Sequence, residues 1–287
     1  MSRIRAAIRT MVGYVPGEQP RGRGVIKLNA NENPYPPSPR ALRAMQAELR
    51  RLRRYPDSTS RDVRAVAARL HRIAPAQVMV TNGSDEMLRI LFQGCADAGD
   101  EVVAFRPSYT YYKTLAAIQG VRYREIPFAP DYSLPQRLDV GRARLVFLPN
   151  PNAPSGTLFS DREIRRLCRA AKRGIVVVDE AYADFAGVTA IPLLRRIPNL
   201  VVVRTLSKSY SLAGLRVGLG FARAELLAEL EKVRDYYNVD RVAQAGAAAA
   251  LADPAYLRRI LARVVRTRGR LARALQEFGA EVYPSAA

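Results

Sequence analysis

The stretch VVVRTLSKSYSLAGLRVG, residues 201–218, sets three valines directly before a group of hydroxyls around one lysine, Lys208, with Arg216 eight residues on. A β-branched run without polar alternation suits a strand covered on both faces. The hydroxyl-rich turn then marks that strand's carboxyl end. The same pattern recurs upstream. QVMVTNGSDE (77–86), EVVAFRPSY (101–109), RLVFLPNP (144–151) and GIVVVDEAY (174–182) each pass from a short apolar run into Pro, Gly, Asn, Ser or Asp, and VGLGFA (217–222) is a further strand. Helices are expected over 84–96, 109–119 and 160–172. Strands alternating with helices predict an α/β fold with a mostly parallel central sheet flanked by helices. Ligands of such sheets bind beyond the carboxyl ends of the strands. The chemistry should therefore lie in TNGSDE, RPSY, NPNAPSG, DEAY and TLSKSYS.

The flanks are read in the same way. Residues 1–40 look irregular, because VPGEQPRGRG (15–24) and NENPYPPSPR (31–40) are rich in turn formers, with VIKLNA (25–30) a short strand between them. A helix is expected from about 39 to RYPD. A second follows, on which Val63, Val66, Ala67, Leu70 and Ile73 recur at helical spacing. From 224 onward the chain reads as helical. Leu257, Ile260, Leu261, Val264, Leu271 and Leu275 form one apolar stripe, expected to pack into the core. The ending GAEVYPSAA (279–287) reads as the start of a strand.

Composition narrows the function. The chain has 287 residues and a formal net charge of +20, yet only five of its 46 basic residues are lysines. The arginines are spread along helices, as in RALRAMQAELRRLRR (40–54) and YLRRILARVVRTRGRLAR (256–273), without a compact block or a zinc-finger pattern. That distribution is expected of solvated helix faces, and no nucleic-acid partner is expected. No apolar run is long enough to span a membrane, and the basic N-terminus lacks an apolar signal core, so a cytoplasmic location is expected. Cys95 and Cys168 lie far apart and read as buried thiols in a reducing compartment. The single histidine, His71 in RLHRIAP (69–75), excludes a multi-histidine metal site; it reads as a surface residue, and no metal is expected. Acid–base work then falls to Lys, Tyr, Asp or Glu.

Five features carry candidate chemistry. Lys208 alone among the lysines follows an apolar strand at the ligand-binding edge; by position it fits a nucleophilic amine and a solvated loop lysine equally. Asp179 ends a buried strand, where a carboxylate is costly without a cation. A magnesium-holding aspartate would require a GxxxxGK[ST] loop, and the chain has no Gly-Lys pair. The alternative is a partner for a pyridinium nitrogen, with Tyr182 in reach of the same pocket. TNGSDE brings Ser84, Asp85 and Glu86 to a helix start suited to phosphate, although such residues also serve as plain caps. NPNAPSG (150–156) offers Asn150 and Asn152 on a rigid turn, and Tyr109 offers a flat ring.

Taken in order, phosphate cup, ring, amide, acid with phenol, then lysine with hydroxyl and arginine, the chain resembles the fold-type I pyridoxal-phosphate aminotransferases. LNANENPYPPSP (28–39) with RYPD (54–57) resembles the histidinol-phosphate aminotransferase branch. The resemblance implies pyridoxal 5'-phosphate as cofactor, with Lys208 as the lysine that carries it and moves the substrate proton. It implies Asp179 against the pyridine nitrogen, Tyr182 and Asn152 at the phenolic oxygen, and Tyr109 stacked on the ring. Ser84, Asp85, Glu86, Ser207 and Arg216 would form the phosphate site. Tyr55 would reach it from the second subunit of a homodimer, and Asn29 and Asn31 would line the substrate side. The implied organisation is an N-terminal arm (1–40), a large cofactor-binding domain (41–240) and a partial small domain (241–287). Family members continue past this ending and supply an arginine for the substrate carboxylate. No basic residue follows 278 here, so the resemblance implies a C-terminally truncated chain with an incomplete small C-terminal domain. The implied reaction is transamination between L-histidinol phosphate and 2-oxoglutarate. Decarboxylation of a phosphorylated amino acid, aromatic transamination, and an inactive cofactor-binding fragment or interaction module are the alternatives.

Overall fold

The computed structural model describes residues 3–14, 17–20 and 24–287. Parts of the turn-rich 15–24 stretch and the first two residues of the basic N-terminus lie outside that set. In chain order the elements are α1 (Ala6–Thr10), α2 (Pro39–Glu48), α3 (Arg61–His71), β1 (Val78–Asn82), α4 (Ser84–Cys95), β2 (Glu101–Arg106), α5 (Tyr111–Gln119), β3 (Arg122–Pro127), β4 (Leu145–Pro149), α6 (Asp161–Ala170), β5 (Ile175–Asp179), α7 (Ala183–Ala186), β6 (Leu200–Thr205), β7 (Val217–Phe221), α8 (Ala224–Leu230), α9 (Arg241–Leu251) and α10 (Pro254–Glu277).

The strands form one seven-stranded sheet in the order β1-β7-β6-β5-β4-β2-β3. β2 pairs parallel with β3 and β4, and β5 pairs parallel with β4 and β6. β7 runs antiparallel to both β1 and β6. Successive residues of a strand face opposite sides of a sheet, and the core divides accordingly. Val103, Val146, Val176, Val178 and Val202 pack into one apolar layer, while Val102, Leu145, Phe147, Val177, Val201 and Val203 pack into the other. That is why these strands read as unbroken apolar runs. Each such buried side chain contributes about 1.5–3 kcal/mol. β3, on the open edge, alternates exposed and half-buried residues. That weak pattern explains why the sequence alone does not announce it.

Helix starts follow local chemistry. Ser160 accepts from Glu163 N at 3.3 Å and its own N–H donates to Glu163 Oε2 at 2.7 Å, a reciprocal cap for α6. Asp240 accepts from Ala243 N at 2.8 Å to open α9, and Asp253 precedes Pro254 at the first position of α10.

Five expectations are corrected. The first 40 residues contain a short helix, α1, docked near α5, where Arg5 Nη2 donates to Ile118 O at 3.1 Å. VIKLNA is irregular, with Ile26 and Leu28 each 81% exposed, so nothing pairs it into the sheet. The segment 280–287 is likewise not a strand; it lies against the 150–156 turn, with Ala286 N donating to Gly156 O at 2.9 Å. The α10 stripe is not core packing. Only Ile260 is buried, while Leu271 and Leu275 are exposed, because no second layer covers the distal half of α10 among the described residues. His71 is half-buried rather than on the surface: its ring meets Phe221 edge-on at 5.1 Å, and burial lowers its pKa to about 4.

Candidate active site

The carboxyl ends of β4, β5 and β6, the start of α4 and the arm residues 29–31 surround a cavity of about 490 Å³. Ten of the residues singled out in the sequence line it: Asn29, Asn31, Ser84, Asp85, Tyr109, Asp179, Tyr182, Ser207, Lys208 and Arg216. Lys208 sits on the turn after β6. Its Nζ donates to Ala30 O at 2.9 Å and stands 5.7 Å from the centre of the Tyr182 ring. Burial moves its pKa down from the usual lysine value, so the neutral amine needed for nucleophilic or base chemistry is more accessible than in water. The turn is held firmly. Asn33 Nδ2 donates to Lys208 O at 3.0 Å, and Ser209 Oγ donates to Asp184 Oδ2.

Asp179 closes the floor. Its side chain is buried, and burial pushes its pKa up to about 6 despite two donors: Tyr112 OH at 2.8 Å and Ala181 N at 3.1 Å. A buried carboxylate so placed calls for a cationic partner within the cavity. Tyr182 OH accepts from Asn31 Nδ2 at 3.0 Å, which ties the arm to the floor of the site.

The opposite end is built for an anion. α4 begins at Ser84 after Gly83, whose φ of 76° suits glycine. Gly218 of β7 packs directly under this start: a Cβ there would meet Gly83 C and Ser84 N, both at 2.4 Å. Arg216, itself in the left-handed region at φ 55°, lays its guanidinium across Gly83, with Nη2 3.3 Å from Asp85 Oδ2 and Nη1 3.4 Å from Ser207 Oγ. A non-glycine residue in that conformation costs about 1 kcal/mol; here the turn aims the only arginine of the cavity lining among the described residues at the helix start. Unpaired amides and a guanidinium together favour a phosphate group.

Three predicted residues lie elsewhere. Glu86 points away from the cavity: its Oε2 accepts from Asn82 N at 2.5 Å and from Asn238 Nδ2 at 2.7 Å, so it serves the strand–helix junction instead of a ligand. Asn152 lines an adjoining cavity of about 480 Å³, shared with Asn31, Tyr182 and Lys208, and its buried Oδ1 has no hydrogen-bond partner among the described residues. Tyr55 is 76% exposed and stacks on Tyr237 at 4.5 Å. Sequence reading missed Tyr14, Ser108, Thr205 and Tyr112. Tyr14 meets Tyr109 and Tyr111 edge-on at 6.2 and 5.5 Å, and Thr205 Oγ1 donates to Ser207 Oγ at 2.9 Å. Thr205 ends an apolar strand at the binding edge, which is the one signal that marks it in the sequence. Among the described residues no cluster of three or more His, Cys, Asp or Glu is placed to hold a metal, and no helix is long and apolar enough to cross a membrane.

A half-buried lysine just past a strand end, with a buried aspartate and an anion cup in the same cavity, suits group transfer on a bound phosphorylated cofactor. The chain belongs to the family of class I and II aminotransferases, whose pattern matches residues 23–287. A histidinol-phosphate aminotransferase of Geotalea uraniireducens is 49% identical over 98% of this chain and 82% of its own length. The crystal structure of histidinol-phosphate aminotransferase from Sinorhizobium meliloti in complex with pyridoxal-5'-phosphate superposes with a TM-score of 0.89 at 28% identity, covering 100% of this chain and 81% of that one. A single-mutant aspartate aminotransferase of Thermus thermophilus shares the fold at a TM-score of 0.83 and 21% identity, covering 100% of this chain and 84% of that one.

Proposed function

We propose that this chain is a pyridoxal-phosphate-dependent histidinol-phosphate aminotransferase, exchanging the amino group of L-histidinol phosphate with 2-oxoglutarate. The observation that carries the reading is the line of three groups across one cavity: the amine of Lys208, the buried carboxylate of Asp179 and the Arg216–Ser84 cup. The residues fit the cofactor. Ser108 Oγ is buried, lines the cavity and has no hydrogen-bond partner among the described residues, and the Gly83–Gly218 contact leaves room only for backbone beside the cup. Bound pyridoxal phosphate supplies an electron-withdrawing ring and a carbonyl carbon for amine exchange.

The remaining chemistry belongs to this chain's own residues. Asp179, ionised, holds a proton on the ring nitrogen by charge pairing. Tyr182 and the neighbouring Asn152 offer hydrogen bonds on the far side of the floor. Ser84, Asp85, Ser207 and Arg216 would hold the phosphate, with Tyr109 available to the ring. Lys208 takes the proton from the substrate α-carbon and returns it one position away, which requires the partly desolvated amine that its setting provides. Asn29 and Asn31 line the substrate side.

Several wider features belong to the same proposal. Exposed Leu42, Leu49, Leu52, Tyr55, Tyr236 and Tyr237 favour a homodimer in which Tyr55 serves the other subunit's phosphate cup. Residues 1–40 act as an arm, 41–240 as the cofactor-binding domain and 241–287 as part of a small domain, with α9 laid back on α2 and α3. Free Cys95 and Cys168 accord with a cytoplasmic setting. The test is direct. The purified chain is loaded with pyridoxal phosphate and given L-histidinol phosphate and 2-oxoglutarate. Glutamate release that is lost in Lys208→Ala supports the reading; carbon dioxide release, or no turnover by a cofactor-loaded chain, overturns it.

A further inference from the structure

Tyr112, the second residue of α5, is fully buried. Its ring stacks on Phe147 of β4 at 4.4 Å and 15°, and Tyr109 meets it edge-on at 5.5 Å. A phenylalanine would fill the same space, so packing alone does not call for the hydroxyl. A buried phenol also needs a partner for its O–H. It has one, Asp179 Oδ2 at 2.8 Å, reached across 67 residues of sequence. The other carboxylate oxygen, Oδ1, is held by Ala181 N at 3.1 Å. The two donors grip the carboxylate from different elements, so its plane cannot rotate, while a lone pair on each oxygen stays free toward the cavity.

We propose that Tyr112 is a positioning residue for the aminotransferase reaction: its hydroxyl holds the Asp179 carboxylate in plane and ionised for a cationic ring nitrogen, without touching cofactor or substrate. The proposal rests on the reading of this cavity as a pyridoxal-phosphate site and goes beyond it in naming what keeps Asp179 competent. Burial works against ionisation here, and Tyr112 OH is the foremost contribution in the other direction. A hydrogen bond to a charged group is stronger than one between neutral groups. The donor is also the one that a single-atom change removes, because the Ala181 N–H is backbone.

The test compares wild-type and Tyr112→Phe apoproteins by calorimetric titration with two ligands, pyridoxal phosphate and its carbocyclic analogue with C–H in place of the ring nitrogen. Loss of the hydroxyl should weaken pyridoxal phosphate by at least about tenfold and leave the analogue within about twofold, the scatter expected of a change that touches no partner. Equal weakening of both ligands makes Tyr112 merely structural and overturns the proposal, as does no weakening of either. If the wild-type protein binds neither ligand, the cofactor reading falls and the proposal with it; if it binds both alike, the Asp179–nitrogen pairing is wrong while the site stands.

Discussion

Replacing Asp179 with asparagine should make the cofactor-free protein more stable near neutral pH, although it removes the group assigned to the ring nitrogen. Burial raises the Asp179 pKa from an ordinary 3.8 to about 6. The folded state therefore binds this proton more tightly than the unfolded chain. The stabilisation from protonated Asp179 is fully present below the unfolded value and is lost as pH rises through about 6. The span corresponds to about 3 kcal/mol at 1.36 kcal/mol per pH unit. Asparagine can set its oxygen on Ala181 N and donate its amide to the Tyr112 oxygen, and it has no charge to desolvate. Urea unfolding of both apoproteins from pH 4.5 to 8 should show the stability difference growing with pH in favour of Asp179→Asn and levelling off above about pH 7, once the carboxyl is ionised. Glu180, raised to about 7 by its own burial, titrates in the same range but is common to both proteins and cancels. Adding pyridoxal phosphate should reverse the order, because only the wild-type protein gains the full binding term, about 4.1 kcal/mol at a thousandfold excess over Kd. Parallel pH curves for the two apoproteins would refute the reasoning, since the buried carboxylate would then carry no desolvation cost.

Three further outcomes follow from the same geometry. Gly218→Ala should displace the start of α4, destabilise the fold by about 1–3 kcal/mol and weaken cofactor binding measured by equilibrium dialysis. Gly214→Ala, with nothing within 4 Å of its Cβ, is the unaffected control for the fold. Arg204→Met should cost about 3–5 kcal/mol in urea unfolding, because Arg204 Nε lies 3.6 Å from buried Glu180 and its Nη2 pairs with Asp184, leaving two carboxylates without their cation. His71→Gln should flatten the acid side of the stability profile. With the His71 pKa lowered to about 4 by burial, the unfolded chain binds this proton more readily, so wild-type stability drops as pH falls from about 6.5 toward 4.

The sheet was legible because its signal is local. Strands buried on both faces must be apolar at every position, and Val176–Val178 and Val201–Val203 are. The site was legible for a related reason: strand ends sort Asp179, Lys208 and Ser84 onto one edge whatever the details of packing. What stayed hidden depends on contacts between distant segments. The Tyr112 hydroxyl gains meaning only once the start of α5 packs on Phe147 of β4 and reaches Asp179 at the end of β5. His71 looked like a helix-end surface residue until Phe221 and Arg204 arrived from β7 and β6. Glu86 shared the first turn of α4 with true cavity residues, but its side chain turns back to Asn82. The α10 periodicity was correctly helical, yet periodicity names a face and not what covers it.

Beside the Asn31–Tyr182 bond, the arm has two further fastenings of different kinds: Lys208 Nζ to Ala30 O, and Asn33 on the lysine's own carbonyl. The second is backbone-bound and works as a hinge, since it does not depend on what the amine is doing. The first is a latch made of the reactive atom itself. Were Nζ drawn off Ala30 O to act elsewhere in the cavity, segment 29–31 would lose about 1 kcal/mol of its hold, while Asn33 and the Asn31–Tyr182 bond still keep it in register.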